Sequence, residues 1–562
     1  MILQALVKRY EDAQDIPAGW QWREAHYALE IDENGQLLGV IGLGTDDEKK
    51  RGRLPLILPS IGSGRSGKKA YETAYFLCDD GNYFLGLDPL KYGSAQKLHT
   101  ALLKDVNTPA ARAILAYFAA PPQTLPPGYE DKADANAKYV FSVNGRRVDY
   151  QDGGEQIRRA WEAAQSTDAE DIRCLVTGRS DAVIKLHDKV SLMGVTMGAQ
   201  PLISMNDQTS FRSYGDKPGD PPARIGQHAA FAYVTALNAL LKDEHHRKRL
   251  GGDTLVYWAE EGGEPEASAF SWVGDPKEED GQMLGALMEK YSRGVKLEIE
   301  NCDMERPFYL LCLSPNAGRI SVRFFYQSSF EDTMKNNLAH YRDLEIVTSP
   351  NEKFRYLPPW ILLAETTVKN QAGDVAPLLG GQLMYSILSG GPYPLTLYDA
   401  ILARIRAGKE INRAKAAIIK AVLIRNFTYG EREGITVALN EQSKDKPYVL
   451  GRLFAVLEWI QQRSADGQLN ATIRDRYFTS ACANPGSAFP TLLRLSMHHI
   501  AKLDKPGYFE KLKGTLIDKL DAAAPFPAAL SLEAQGQFIV GYYHQIQDFY
   551  TSKKDKEEPS NV

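Results

Sequence analysis

Cysteine is scarce in this sequence. The 562 residues include five cysteines, and no two of them have the short spacing of a zinc ribbon or a redox pair. The ten histidines also form no HExxH or comparable pattern. We therefore predict no disulfide framework, no metal site and no cofactor, and we expect the cysteines to be buried as small apolar side chains.

Long apolar runs are missing as well. No stretch of about eighteen consecutive apolar residues, the length needed to cross a membrane, is present. The opening segment MILQALVKRYED becomes charged too early for a secretory signal. We therefore expect a cytoplasmic protein. Its length exceeds what one hydrophobic core usually serves, which predicts several domains.

The chain also lacks an excess of positive charge, since its formal net charge is −5. Proteins that bind nucleic acid over a broad surface are normally basic, so any contact with a polyanion must be local. Three clusters qualify: cations between residues 49 and 69, the run HHRKR at 245–249, and one side of a predicted helix over 401–425. Each could equally be a solvated surface.

Recognisable catalytic motifs are absent, with one near match. Residues 62–68, GSGRSGK, fit the phosphate-binding pattern GxxxxGK and follow an apolar run. Magnesium coordination requires Ser or Thr at the next position, where this chain has Lys69. A glycine loop with cations still suits a phosphate, because backbone N–H groups can approach it closely. We therefore favour a non-enzymatic nucleic-acid contact, and the alternative is a nucleotide-dependent enzyme using Gly62 to Lys68.

A polar loop is the most informative segment. Residues 194–215, GVTMGAQPLISMNDQTSFRSYG, pass from an apolar run into amides and hydroxyls that surround Phe211. Asn, Asp, Ser and Gly are typical of turns, so ordinary turn chemistry explains this composition. The same side chains can contact base edges and sugars while an aromatic residue stacks or inserts. Both interpretations remain open at this level.

Hydrophobic periodicity predicts an α+β protein, with a mixed N-terminal region followed by an all-α C-terminal bundle. Strands are predicted at 27–31, 37–41, 54–58, 74–78, 82–86 and 139–143, and helices at 94–106 and 108–120. A loop is predicted over 260–281, before strands at 308–313 and 320–325. Amphipathic helices dominate after residue 384. We divide the chain into residues 1–130, 131–383, a basic helical connector at 384–436, and a bundle at 437–562.

Several ordered blocks carry a family resemblance. They are GVTMGAQ with SMNDQTSFRSYG, HAAFAYVTALNALL, GGDTLVYWAE, LLCLSPNAGRISVRFF and YVLGRLFAVLEWIQQ. Together they resemble the large subunit of the subtype I-C CRISPR Cascade, an RNA-guided DNA surveillance complex, over essentially the whole chain. The resemblance implies a non-catalytic subunit that reads the protospacer-adjacent motif (PAM), helps to form the R-loop and helps to recruit the helicase-nuclease. The implied partners are crRNA, target double-stranded DNA, the backbone subunits, the subunit that caps the repeat handle, and small subunits.

Within this resemblance, the physical chemistry of the candidate residues assigns their roles, as hypotheses. Residues expected to hold the DNA backbone are Lys49, Lys50, Arg51, Arg53, Gly62, Gly64, Arg65, Ser66, Gly67, Lys68 and Lys69. Residues expected to contact the PAM or to act as a wedge are Asn206, Gln208, Ser210, Phe211, Ser213 and Tyr214. Residues expected to follow the displaced strand are Arg406, Lys409, Arg413, Lys420, Arg474 and Arg476. The bundle resembles the Cascade small subunit, which an internal start near Val437 could produce separately.

Overall fold

All described strands lie before residue 330, and long helices fill the rest of the described chain. The computed structural model describes residues 1–13, 16–17, 19–44, 53–61, 65, 71–152, 154–165, 171–184, 186–196, 198–204, 224–348, 352–369, 371, 374–427, 435–465, 470–504 and 506–551. The predicted α+β class with a helical C-terminal region is confirmed. The chain forms two compact units: unit 1 comprises Met1–Lys242 with Asn316–Ile320, and unit 2 comprises Asp243–Pro315 with Ser321–Val562.

Unit 1 combines short strands with helices. Its elements are α1 (Ile2–Ala13), β1 (Trp20–Ala25), β2 (Tyr27–Ile31), β3 (Leu37–Gly42), β4 (Leu54–Pro59), β5 (Cys78–Asp80), α2 (Gly81–Phe84), α3 (Pro89–Leu103), α4 (Pro109–Ala119), β6 (Lys138–Val143), β7 (Arg146–Arg147), α5 (Glu155–Gln165), β8 (Asp171–Arg173), β9 (Ser180–Ala182) and α6 (Gln227–Lys242). The main sheet has the order β3-β2-β6-β5, with β7 also paired to β6. Only the β2–β6 pair is parallel among its described pairs, whereas β1 and β4 form a separate antiparallel pair.

The core of unit 1 is aromatic. Phe84, Phe118 and Phe141 pack around the imidazole of His99, and all four side chains are fully buried. The helices above the sheet begin at clear signals, since Asp88 and Thr108 cap α3 and α4 and a proline follows each cap. The predicted helices at 94–106 and 108–120 are α3 and α4, although α3 begins earlier, at Pro89.

Two strand predictions in unit 1 are wrong. Residues 82–86 fall in and after the helical turn α2, because the Asp80 carboxylate accepts from the N–H of Asn82 and starts a helix there. Residues 74–77 of the predicted strand 74–78 are not a strand, and β5 begins only at Cys78. The buried Asp79 carboxylate accepts from the backbone N–H of Tyr75, which turns the chain just before β5.

Unit 2 contains a sheet and most of the helices. Its elements are β10 (Arg247–Leu250), β11 (Asp253–Ala259), α7 (Glu264–Val273), α8 (Gly281–Ser292), β12 (Pro307–Asn316), β13 (Arg319–Ser329), α9 (Phe330–Leu344), α10 (Pro359–Ala364), α11 (Leu379–Ser389), α12 (Leu395–Gly408), α13 (Arg413–Asn426), α14 (Lys446–Ser464), α15 (Ile473–Ala483), α16 (Pro485–Ile500), α17 (Pro506–Ile517) and α18 (Leu532–Tyr550). The sheet has the order β10-β11-β12-β13, and every residue of β11 is buried.

Two predictions in unit 2 also require correction. The segment 260–281 is not a continuous loop, because α7 forms within it and buries Ala267, Phe270 and Val273. Its Gly, Glu and Pro content suggested a loop, yet proline and acidic residues are also typical of a helix start. The single helix predicted over 401–425 is two helices, since Lys409 adopts a left-handed conformation after α12 and Asn412 caps α13.

One buried core runs through the whole of unit 2. It includes Leu255 of β11, Ile418 of α13, Leu453 of α14 and Phe538 of α18. Helices α14 and α18 approach so closely that a Cβ on Gly451 would lie 1.9 Å from the carbonyl oxygen of Phe538. The domain boundaries after residues 130, 383 and 436 stay predictions. None of the described helices combines the length and apolar character of a membrane span.

Candidate nucleic-acid interface

The described residues include only part of the predicted site. Among the candidates for the DNA backbone, Arg53 and Arg65 are described. The remaining backbone candidates lie outside the described residues: Lys49, Lys50, Arg51, Gly62, Gly64, Ser66, Gly67, Lys68 and Lys69. The PAM and wedge candidates also lie outside them: Asn206, Gln208, Ser210, Phe211, Ser213 and Tyr214. The six candidates for the displaced strand are all described.

Arg65 is fixed at the centre of a buried ionic and aromatic cluster. Its Nη1 and Nη2 donate to the two carboxylate oxygens of Asp79 at 2.8 and 2.5 Å, and Nη1 also donates to the Thr73 carbonyl at 2.9 Å. The guanidinium carbon lies 4.0 Å from the ring centroid of Tyr75 and 3.7 Å from that of Tyr83. Such planar pairing and ring stacking suit arginine and would not suit lysine.

The charge balance of this cluster explains its geometry. Asp79 is fully buried, and the Arg65 side chain is 10% exposed. Burial by itself lowers the pKa of Arg65, but the hydrogen bonds and charge of Asp79 outweigh it and raise the pKa overall. The guanidinium therefore neutralises Asp79 in this arrangement. A direct phosphate contact by Arg65 stays a prediction, and it would require the buried pair to open.

Arg53 is placed differently. It precedes β4, its side chain is 55% exposed, and its Nη1 lies 3.1 Å from the equally exposed carboxylate of Glu24. An exposed pair of this kind contributes little stability and is screened by salt. Arg53 can therefore exchange Glu24 for a phosphate at small cost, as the predicted backbone contact requires.

A cleft lies directly after the glycine-rich segment. Its volume is about 640 Å³, and one wall is formed by residues 71–74 and the other by the first turns of α3. Tyr71 is 49% exposed, and the Nζ of Lys91 lies 5.5 Å from its ring centroid. Lys97 also lines this cleft. We call this feature the Tyr71 cleft, and the sequence signals that we used did not identify it.

Side chains of the basic run at 245–249 pair with other residues of unit 2. His246 is buried, and its two ring nitrogens contact the Tyr257 carbonyl at 2.9 Å and the Glu264 carboxylate at 2.7 Å. The Nζ of Lys248 lies 3.6 Å from Asp275. Much of this local charge is therefore balanced within the unit, which favours a structural role.

The four cations predicted on one exposed helix side do not form such a surface. Lys420 is 2% exposed, its Nζ donates to the Asp343 carbonyl at 2.9 Å, and burial lowers its pKa to about 8. Arg413 donates to the backbone carbonyls of residues 354 and 355, and burial lowers its pKa as well. The Nη2 of Arg406 donates to Gln535 at 2.6 Å, and Lys409 contacts the Asp475 carbonyl. The predicted basic side is lost because the helix breaks at Lys409 and because α13 is buried.

Exposed cations do occur elsewhere on the helical part. Arg476 is exposed on α15, whereas Arg474 is partly buried and lies 3.6 Å from the buried carboxylate of Glu458. Arg494 and His498 on α16 and Lys502 just after it are also exposed. Their spacing of four residues places them along one side of the helix. That spacing is visible in the sequence, and our predictions overlooked it.

The described residues hold no group of three or more His, Cys, Asp or Glu side chains that could bind a metal ion. Four of the cysteines are buried and Cys302 is partly buried. The model of a CRISPR-associated protein family, Cas_Csd1, matches residues 3–550. No curated protein matches the sequence.

Proposed function

The chain belongs to the Cas_Csd1 family of CRISPR-associated proteins, and from this premise we propose that it is the non-catalytic large subunit of a type I-C Cascade effector. In this role it recognises the PAM in double-stranded DNA, helps to unwind the duplex and form the R-loop, and helps to recruit the helicase-nuclease. Its partners are crRNA, the backbone subunits, the subunit that caps the repeat handle, and small subunits from the same gene.

The observation that carries the proposal is the extent of the family match. Residues 3–550 include nearly all of unit 1 and unit 2, so the function belongs to the chain as a whole. In RNA-guided complexes base pairing reads the target, and protein reads only a short flanking motif. A chain with a net charge of −5 and local exposed cations suits that limited contact with DNA.

The proposal assigns binding of the DNA backbone and recognition of the base sequence to different segments of the chain. Arg53 and the cations of the glycine-rich segment hold phosphates, which position the duplex and carry no sequence information. Asn206 and Gln208 contact base edges, and in a minor groove they mainly distinguish A·T from G·C pairs. Arg476, Arg494 and Lys502 replace the buried Lys420 as the best described candidates for the displaced strand.

Two observations weigh against the nucleotide-dependent enzyme. The strand before the glycine-rich segment, β4, pairs antiparallel with β1, whereas the phosphate-binding loop of nucleotide hydrolases joins a strand and a helix in a βα unit of a parallel sheet. Arg65, in the middle of the motif, is committed to Asp79. ATP hydrolysis by the purified chain that is lost on Lys68→Ala would support the enzyme instead.

The test compares two sets of variants in the assembled crRNA complex. The double variant Lys68→Ala, Lys69→Ala should weaken binding to every duplex alike and reduce the slope of log affinity against log salt by about 0.9 for each lost phosphate contact. Asn206→Ala and Gln208→Ala should instead change which flanking bases are accepted. Fluorescence anisotropy across a panel of flanking sequences and salt concentrations measures both effects.

The matched control is Lys104→Ala, which removes an exposed cation at the end of α3. It should leave affinity and motif preference as in the wild type. If Asn206→Ala and Gln208→Ala both keep the wild-type preference, the assignment of the 194–215 loop is wrong. If the wild-type complex shows no preference for any flanking motif, the proposed function itself fails.

A further inference from the structure

We propose that the Tyr71 cleft binds one unpaired nucleotide, with the base against Tyr71 and the phosphate at Lys97. The ligand class is a single-stranded nucleic acid, of DNA or RNA, and this choice rests on the proposed function. The cleft lies within unit 1, and none of its lining residues belongs to the predicted contact sets.

The cleft has the size and an open wall suited to a small ligand. Its volume of about 640 Å³ lies within the range of roughly 300–1,000 Å³ typical of ligand sites. Gly93 faces it from α3, and a Cβ at this position would meet no atom within 4 Å. No protein atom therefore fills the space above Gly93, and a larger side chain there would occupy the cleft without displacing the backbone.

Tyr71 supplies a platform for a base. Nearly half of the side chain is exposed, at 49%, although tyrosine is large enough to be buried when a core is available. Bases stack on aromatic rings with little dependence on sequence, and a neighbouring cation strengthens this contact. Lys91 provides such a cation, with its Nζ 5.5 Å from the Tyr71 centroid.

Lys97 supplies the charge for a phosphate. It follows Gly93 by four residues on α3, which places it one turn further along the same side of the helix. The side chain is exposed, and no described residue forms an ion pair with it. The N-terminus of α3 is not the anion site, because Asp88 already accepts from the N–H groups of Leu90 and Lys91.

The rim of the cleft also indicates which base edge would fit. The exposed carboxylate of Glu72 accepts hydrogen bonds and repels phosphate, so it should lie beside the base. Carboxylates accept from exocyclic amino groups, such as N4 of cytosine. We therefore expect cytosine, adenine or guanine to bind more tightly than thymine or uracil.

The wall that carries Tyr71 is held in place by the buried cluster. The Thr73 carbonyl accepts from Arg65 at 2.9 Å, and the Tyr75 N–H donates to Asp79 at 2.8 Å. A larger cavity of about 760 Å³ in unit 2 is less suited to a phosphate, because its one charged lining residue is already paired. Its charged lining residue, Arg323, lies 3.5 Å from Asp253 and donates to Ser314 at 2.9 Å.

The test blocks the cleft in the full-length chain. Ultraviolet cross-linking to single-stranded DNA and RNA oligonucleotides of one sequence, followed by mass spectrometry, should give an adduct on the peptide that contains Tyr71. Gly93→Trp and Tyr71→Ala should each remove this adduct and weaken binding about tenfold, since one base stack contributes that much. Whichever oligonucleotide gives the stronger adduct identifies the source of the nucleotide.

The control is Gly514→Trp on α17, where a Cβ would also meet no atom within 4 Å. It should bind and cross-link as the wild type does, and thermal unfolding should show that both tryptophan variants are folded. If the wild type binds oligonucleotides without a Tyr71 adduct, and Gly93→Trp binds equally well, the inference is overturned while the proposed function stands. Loss of motif-dependent duplex binding by the assembled wild-type complex would instead overturn the proposed function.

Discussion

The two units use their cations in different ways. In unit 1 the guanidinium of Arg65 is buried against Asp79, while Arg53 and Lys97 remain exposed. In unit 2 the cations of α13 are drawn into the core, and Lys420 is almost fully covered. A basic stripe on a predicted helix therefore says little about binding until the surroundings of the helix are known.

The reason is the position of α13. Every residue from Ala414 to Leu423 is buried, so this helix has no solvent side along that stretch. Lys415 lies 3.4 Å from Glu365, and Arg425 lies 2.5 Å from Asp343. A buried charge without a partner is costly, and each of these cations is accordingly paired. Lys420, the buried DNA candidate of this helix, donates to a backbone carbonyl instead. The comparison teaches that burial commits a candidate DNA contact to partners inside the protein.

The largest expected effect comes from breaking one such pair in each unit. Arg65→Met leaves the buried Asp79 without its cation. Arg425→Met removes the closer cation of Asp343 and leaves only Arg342, at 3.9 Å. Each should lower the free energy of unfolding by about 3–5 kcal/mol. Denaturant unfolding of the full chain measures the change. Arg476→Met removes an exposed cation and should stay within about 0.5 kcal/mol of the wild type. A mild effect of Arg65→Met would show that Arg65 is available to phosphate after all.

A smaller effect is expected where α14 meets α18. Gly451→Ala would place a Cβ 1.9 Å from the Phe538 carbonyl oxygen, so the helices must separate. We expect a loss of about 1–3 kcal/mol in the free energy of unfolding. Gly514→Ala on α17 meets no neighbour and should stabilise the protein by up to about 1 kcal/mol. Equal effects of the two variants would contradict this close approach of the helices.

The most gradual effect, spread over the acid range, concerns the core of unit 1. His99 donates from Nδ1 to the Ala95 carbonyl at 2.8 Å and accepts at Nε2 from the Leu77 N–H, and burial lowers its pKa to about 4. As the pH falls, His99 therefore becomes protonated near pH 6.5 in the unfolded chain but only near pH 4 in the folded chain. Stability should fall with decreasing pH inside this window, by at most about 1.4 kcal/mol per pH unit for this group.

His99→Gln replaces the titratable imidazole with a side chain that binds no proton in this pH range. The variant should be less stable at pH 7, because a packed aromatic ring is lost, but its stability should fall less steeply between pH 6.5 and pH 4. Denaturant unfolding at pH 7, 6 and 5 gives both slopes. An unchanged slope would mean that the folded and unfolded chains protonate His99 alike, and this would contradict the lowered pKa.

Local sequence signals predicted the elements that depend on near neighbours. The strands at 27–31, 37–41 and 54–58 are confirmed by β2, β3 and β4, because each is a short apolar run bounded by turn or loop residues. The prediction at 82–86 failed where one carboxylate, Asp80, caps a turn. The prediction at 401–425 failed where Lys409 ends a helix without a glycine at that position.

By itself the sequence determined the α+β class and, through ordered blocks along the chain, the CRISPR-associated family. Only the tertiary structure decided which cations reach solvent. Helical periodicity shows which side chains share one side of a helix, but it cannot show that other elements cover every side, as they do on α13. The pairing of Arg65 with Asp79 and the open space above Gly93 depend on the same long-range packing, which is why they emerge only from the fold.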